Sequence, residues 1–480
     1  MAHPQHAPPV TLPDGEIRAV VRAPAIERWS WALYDFANTI FSMNVATLYF
    51  SAWVVVDLGA SETAYALASG IASVLVVLSI PVLGAVSDAK RRRKPWVVGF
   101  TIASCLATAA IGVFGQTQLP LYGANVIGGS IRPAEWHVSS SLMLWVWIAF
   151  IIANFAYQAA MPFYNAMMPE LVPEEEQGRL SGLGTAVGYV GSIVGVLLVI
   201  PFFTGGLPGI GPLGDGVMHV LRTLMPFTDR GGRVATFVPT GALFLFFSLP
   251  LFLFCRDHNP RRERTRVAWR EAFDEVMDTI HDAKRHPGAL RFILTSFVYQ
   301  DAVGTIVAFM ALYAVRAVGF QQGNETTLFL VLTVPAIFGS YLAGILVDRI
   351  GAKRTLMITL VTWVALLGAM IAVPSKMAFW LVGLMIGFNF GGVPTAERPV
   401  LLSLVPDVEA GRYFSLMLLS SRAAAIVGPL LWGITVNSLE SSIGTALAYR
   451  AAVVVVALMF AVSCWLLRKV PDHGPRAARA

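Results

Sequence analysis

The chain has 480 residues, 56% of them hydrophobic and only 13% charged, with a mean hydropathy of +0.65. An ordinary soluble domain carries about 25% charged residues, so this chain lacks the charge to cover a water-facing surface of its size. That argues against a soluble enzyme or a nucleic-acid binder, and the net charge of +6 is better read as a membrane-topology signal.

Inside lipid every backbone amide and carbonyl must be paired within a helix or a closed sheet, and about 20 apolar residues cross the hydrocarbon as a helix. Residues 1–28 are Pro-rich and polar, lack the apolar core of a signal peptide, and read as a cytoplasmic tail. Spans are expected at Trp31–Val56, Ala64–Val86, Trp96–Phe114, Ser140–Phe163, Ser181–Phe203 and Val234–Cys255, a six-helix bundle over 29–255. A charged linker over 256–291 follows. In it Trp269, Phe273, Met277 and Ile280 share one face, as in an amphipathic helix lying on the bilayer or bridging two bundles. Further spans are expected at Phe292–Val315, Thr326–Val347, Thr355–Val373, Ala378–Thr395, Tyr413–Val436 and Ala446–Leu467, a second bundle over 292–468, before a tail at 469–480. The fold class is all-α membrane, with twelve transmembrane helices in two pseudo-symmetric bundles.

Of the 35 Lys and Arg residues, 27 fall on the side of the termini, 7 on the opposite side, and Arg422 within a span. Cytoplasmic loops carry the excess of basic residues. Both termini are therefore expected in the cytoplasm, with the protein in a bacterial inner membrane.

The two halves echo each other. Leu171-Val172-Pro173 leading to Gly178-Arg179 returns as Leu404-Val405-Pro406 leading to Gly411-Arg412. Gly84 to Asp88 returns as Gly344 to Asp348, each followed by a basic pair, Arg93-Lys94 or Lys353-Arg354. Tyr34-Asp35 and Thr39-Ile40 resemble Tyr299-Gln300-Asp301 and Thr305-Ile306. Repeats related by an axis along the membrane normal put a substrate site between them, near the midplane.

The Gly-x-x-x-Asp pattern with its basic pair resembles the signature loop of the major facilitator superfamily. Trp31-Ala32-Leu33-Tyr34-Asp35-Phe36-Ala37-Asn38, Pro81 to Asp88, Arg92 to Trp96 and Leu171 to Gly182 resemble its "unknown major facilitator" group. That group includes the autophagy-related vacuolar effluxers of amino acids and many bacterial permeases. The resemblance, from about residue 28 to 468, implies transport by alternating access, with the signature loop stabilising an outward-open state. It implies a cytoplasmic gate built from Gly84, Asp88, Arg93, Lys94 and Arg179 in the first half and Gly344, Asp348, Arg349, Gly351, Lys353, Arg354 and Arg412 in the second. The first loop departs from the pattern at Ala89 and Arg91, so a weaker latch is expected there. Merely topogenic charges would explain the basic residues but not the paired Gly and Asp.

An Asp at a span centre costs about 2.5–3.5 kcal/mol on insertion scales, so Asp35 and Asp301 should face a wet cavity or a partner. A carboxylate shifting between desolvated and cation-paired states is a proton carrier; alternatively Asp35 is a helix-end residue. Asn154, Tyr157 and Gln158 on the fourth span, with Asn38 and Gln300, offer neutral hydrogen bonds to a polar solute or interhelical glue. Asn389, Gly391-Gly392 and Pro394 predict a broken tenth span, with Glu397 and Arg398 beyond it at the cytoplasmic gate. Arg422 needs an anion, from Glu397, Asp301 or a substrate carboxylate. Gly184, Gly188, Gly191 and Gly195 predict close helix packing. No phosphate-binding loop, serine elbow or metal-ligand spacing occurs, and Cys105, Cys255 and Cys464 lie far apart in apolar runs. The leading expectation is a monomeric, non-enzymatic secondary transporter. It needs no cofactor or metal and exports an amino acid or similar solute, driven by protons. The competing readings are a sugar–cation symporter and a lipid-handling or receptor-like relative of the same fold.

Overall fold

A computed structural model describes residues 10–11, 17–18, 22–58, 60, 62–90, 92–118, 140–207, 210–229, 231–257, 287–319, 325–373, 375–424 and 427–472. The amphipathic face expected within 256–291 and the loop at 119–139 lie outside the described residues.

The first half comprises α1 (Ala25–Phe41), α2 (Glu62–Lys90), α3 (Lys94–Gln118), α4 (Ser140–Ala166), α5 (Gln177–Thr204), the short α6 (Asp215–Leu224) and α7 (Phe237–Phe254). The second half comprises α8 (Pro287–Val318), α9 (Glu325–Ile350), α10 (Ala352–Ile371), α11 (Lys376–Phe390), α12 (Gly392–Leu404), α13 (Ala410–Ala424), α14 (Val427–Ile443) and α15 (Thr445–Arg468). Among the described residues, ten helical segments are long and apolar enough to cross a membrane. The outer surface is apolar, with Leu78, Leu106, Leu253, Phe338 and Leu458 all exposed. Such a surface is stable only against lipid. Inside, hydroxyls such as Thr101, Thr108 and Thr240 bond back to the carbonyl four residues earlier, so they need no water.

Two local features depart from the sequence expectation. After α1 the chain continues as π-helix over Ser42–Tyr49 and Trp53–Asp57, a geometry that periodicity does not signal. At the expected break in the tenth span, Gly391 stays helical at φ −69° and ψ −15°. The helix is barely interrupted, because Gly391 and Gly392 serve contact rather than unwinding: a Cβ on Gly391 would stand 2.8 Å from the Ala336 carbonyl, and one on Gly392 2.7 Å from Thr359 Oγ1.

The expected glycine stripe on α5 is a packing surface. Gly184, Gly191 and Gly195 leave no room for a Cβ against Asp35, Phe36 and Ile40 of α1, and Thr39 donates a 2.6 Å hydrogen bond to the Gly188 carbonyl. Other glycines let the two halves touch. A Cβ on Gly84 would stand 3.0 Å from the Gly411 carbonyl, and one on Gly344 2.6 Å from the Gly178 carbonyl and 3.1 Å from Gly182 Cα. Every such contact between the halves lies at the end of the helices that carries the termini. Small residues permit this approach where lipid supplies no hydrophobic driving force between helices.

A Gly182→Val side chain would begin 2.7 Å from the Ser340 carbonyl and 2.9 Å from Gly344 Cα. Overpacking of this kind is expected to cost about 1–3 kcal/mol, read as a lowered unfolding midpoint of the purified protein. An unchanged midpoint would show that the two backbones do not meet there.

Candidate functional site

The strongest polar interaction between the halves is an ion pair deep inside the protein. Asp35 lies on α1, about 15 Å along the helix from its first residue at 1.5 Å per residue. Its carboxylate accepts from both terminal nitrogens of Arg398 on α12, at 3.0 and 3.4 Å. The two residues are 5% and 7% exposed. Asp35 is therefore an interior residue of its helix, not a helix-end one.

Arg398 enters a socket built wholly by the first half. The Trp31 and Tyr164 rings stack at 4.5 Å. Trp31 Nε1 donates to the Tyr164 carbonyl at 3.1 Å, and the Tyr164 hydroxyl donates to the Trp31 carbonyl at 3.0 Å. The guanidinium carbon stands 5.7 Å from the Trp31 ring centroid and 5.8 Å from that of Tyr164, within cation–π range. Trp31 and Asp35 share a helix face by their four-residue spacing. Gly184 is a glycine because a Cβ there would lie 2.7 Å from Asp35 Oδ2 and 3.0 Å from the Trp31 ring.

Glu397, beside Arg398, also turns away from the termini end. It accepts from Gln300 Nε2 at 2.6 Å and from the Tyr299 hydroxyl at 3.2 Å. Both residues were expected at the gate, and both instead join the interior polar residues. The reason is helical: one turn of α12 carries them from the loop toward the contact between the halves.

Asp301, the repeat counterpart of Asp35, has no cation among the described residues. One carboxylate oxygen accepts from the Gly428 amide of α14 at 2.7 Å. The other oxygen is buried without a partner. Arg422, on α13, is exposed and makes no hydrogen bond or ion pair among the described residues. Neither Glu397 nor Asp301 reaches it. It lies near Tyr157 of the first half, whose hydroxyl is close to Ser42 and Asn38 and whose ring stacks on Phe41. Gln158 donates to Asn154 at 3.1 Å and keeps a buried carbonyl oxygen unpaired, as Asn38 does.

Nearer the termini end, Asp348 on α9 accepts from the Arg179 amide at 3.2 Å and its Nε at 3.3 Å, at the start of α5. Gly351 follows at φ +96°, which only glycine takes cheaply, and turns α9 into α10. Arg93 is 2% exposed. It donates to the Ala166 carbonyl, to Glu170 at 3.0 Å and, across the halves, to the Asp407 carbonyl at 2.5 Å. Arg412 is buried and partnered.

Several expected gate residues do not bridge the halves. Lys94 donates to the Cys255 carbonyl at 2.6 Å and Arg354 pairs with Asp472 at 3.3 Å, each within its own half. Arg349 is exposed, and neither it nor Lys353 has a partner among the described residues. These basic groups sit on the outer rim, where water already satisfies them. The Asp88 side chain lies outside the described residues. Sequence reasoning missed Tyr164, Glu170, Asp257 and Asp407. Asp257 accepts from the Arg93 and Lys94 amides at the start of α3.

A family profile described as "Vacuole effluxer Atg22 like" matches residues 55–474. The chain belongs to the Atg22-like family. It is similar to an uncharacterised transporter of the major facilitator type, YxiO, from Bacillus subtilis. The two are 22% identical over 92% of this chain and 94% of the relative. It is also similar to autophagy-related protein 22 of Eremothecium gossypii, at 20% identity over 85% and 84% of the two chains. Among solved structures it resembles the major facilitator transporter FucP, described as in the outward conformation. The TM-score is 0.66 at 14% identity, over 93% of this chain and 98% of that one. The protein is thus a multi-pass membrane transporter of the major facilitator superfamily.

Removing one partner from a buried ion pair costs about 3–5 kcal/mol, because the other charge is stranded. Arg398→Gln alone is expected to destabilise the protein by that amount. The Asp35→Asn/Arg398→Gln pair should recover more than half of it, as a double-mutant cycle of unfolding would read. Additive losses would mean that the two groups do not interact.

Proposed function

We propose that this chain is a secondary active transporter with twelve spans in two six-helix bundles, moving a small solute through a midplane site by alternating access. The observation that carries this reading is the division of polar contacts along the membrane normal. The Arg179–Asp348 and Arg93–Asp407 contacts, and the glycine contacts, all join the halves at one end. The excess of basic residues on that side supports its being the cytoplasmic one. The present shape is then closed to the cytoplasm, as expected of an outward-facing state. Asp348, Arg179, Arg93 and the paired glycines form the cytoplasmic gate.

The two membrane-embedded aspartates take different roles. Asp35 already has a protein cation as its partner. Among the described residues Asp301 has one backbone donor and no cation, so a proton is the partner that its second oxygen lacks. Asp301 is the proton carrier. Arg422 has no protein anion among the described residues and lies near Tyr157, which Asn38 also approaches. A solute carboxylate completes it, which fits export of an amino acid or similar metabolite.

Asp301→Asn keeps an acceptor for the Gly428 amide while mimicking the protonated acid. In proteoliposomes it is expected to fold normally and to abolish proton-driven transport. Full proton coupling in that variant would exclude Asp301 as the carrier. Arg422→Gln breaks no hydrogen bond or ion pair among the described residues, so its unfolding midpoint should stay within about 0.5 kcal/mol of the parent. Its half-saturating solute concentration should rise at least about tenfold, the equivalent of about 1.4 kcal/mol. A thermal-shift screen against amino acids, peptides and sugars supplies the solute for that assay.

A further inference from the structure

The socket around Arg398 has a feature that an ordinary buried ion pair lacks. All of its receiving parts belong to one half, and the cation belongs to the other. Trp31 and Asp35 are on α1 and Tyr164 is on α4. The rings hold each other through two reciprocal hydrogen bonds to backbone carbonyls, at 3.1 and 3.0 Å, and none of those bonds uses Arg398. The Tyr164 hydroxyl also lies beside the Asp35 carboxylate. Gly184 of α5 closes the socket behind the carboxylate, again from the first half. The socket is therefore shaped before Arg398 arrives and survives its departure.

A carboxylate with two aromatic faces about 5.7 Å from the cation it holds is the chemistry that recognises a guanidinium or ammonium group. When the halves part at this end, Arg398 leaves with α12, and Asp35 is left buried in a shaped pocket that opens toward the parting cleft. A buried carboxylate of this kind is stable only with a new partner.

We propose that the Trp31–Asp35–Tyr164 socket is a binding site for the guanidinium or ammonium group of a solute, filled by Arg398 in the present state and by the solute in the opposite one. Arg398 is then a tethered competitor. It closes the cytoplasmic side by occupying the site that an incoming cation must take, so solute binding and opening become one event. Asp35 and Arg422, on opposite halves, would together hold a zwitterion. The exchange between states rests on the alternating-access reading above; the affinity of the socket for a free cation does not.

The deciding experiment uses Arg398→Ala in detergent, with guanidinium chloride at low millimolar concentration as the probe and sodium chloride at equal ionic strength as the control. Guanidinium is expected to raise the melting temperature of Arg398→Ala by several degrees, saturably, and to leave Asp35→Asn/Arg398→Ala unmoved. Recovery of folded Arg398→Ala only when guanidinium is present throughout purification supports the same conclusion. Equal responses of the single and double variants, no response in either, or failure to recover Arg398→Ala with or without guanidinium overturns the proposal. A second measurement tests the exchange. Val347, 6% exposed and packed at Gly178, becomes accessible only if the cytoplasmic ends part. In Val347→Cys, guanidinium is expected to speed maleimide labelling at least about threefold, and an added Asp35→Asn should abolish the effect. Labelling that never occurs, alongside a positive Arg398→Ala result, would sink alternating access while leaving the cation site standing.

Discussion

A charge inside the hydrocarbon layer persists only when something of opposite sign is waiting for it. Asp35 and Arg398 satisfy that condition for each other, yet they stand on helices from different halves of the chain. Any relative movement of the halves must therefore break a buried, bidentate ion pair. The energy of stranding either charge is several kcal/mol, comparable to the whole stability of a typical domain. Such a contact makes intermediate openings costly and favours two discrete arrangements over a continuum. The flanking contacts, Asp348 to the start of α5 and Arg93 to the Asp407 carbonyl, are shallower and add to the same closure.

The internal repeat is broken in its electrostatics. Asp35 and Asp301 occupy corresponding places in the two halves, but one faces a guanidinium and the other a single backbone amide. The difference arises outside the repeated motifs, from Arg398 on α12 and from the Gly428 amide beside Asp301. Two carboxylates at matching places in the sequence repeat have different neighbours, which leave one paired with a cation and the other short of a partner among the described residues. Arg422, unpaired among the described residues, adds a further charge to this central layer. In a membrane interior, an unpaired cation and a half-satisfied carboxylate are both expensive, and they are retained where a mobile partner visits.

The spans and the residues that punctuate them were legible in the chain itself. Lipid leaves helices as the way for a long apolar run to pair its backbone, so Trp96–Phe114 or Ala446–Leu467 could be placed without any knowledge of neighbours. The same holds for the α5 glycine stripe, whose four members share a helix face. The signature pattern around Gly344 and Asp348 was legible too, and the structure uses it at a contact between halves. The rim charges misled. Lys94, Arg349, Lys353 and Arg354 share the motif, but a long basic side chain at the rim is as well served by water or by its own half as by a latch. The glycines near Asn389 also misled, because glycine signals both unwinding and close approach, and the facing helices, α9 for Gly391 and α10 for Gly392, decide which.

What the sequence determined by itself was the membrane environment, the sites of the long helices, their duplication, and the presence of Asp35, Asp301, Glu397, Arg398 and Arg422 in or beside them. These follow from local composition and spacing, which act within one helix. Only the tertiary structure decided which charge meets which. Asp35 and Arg398 are 363 positions apart, and nothing in either helix encodes the rotation that brings them together. That pairing depends on how two helices from separate halves present their faces, and it turned two presumed gate residues into the interior of the site.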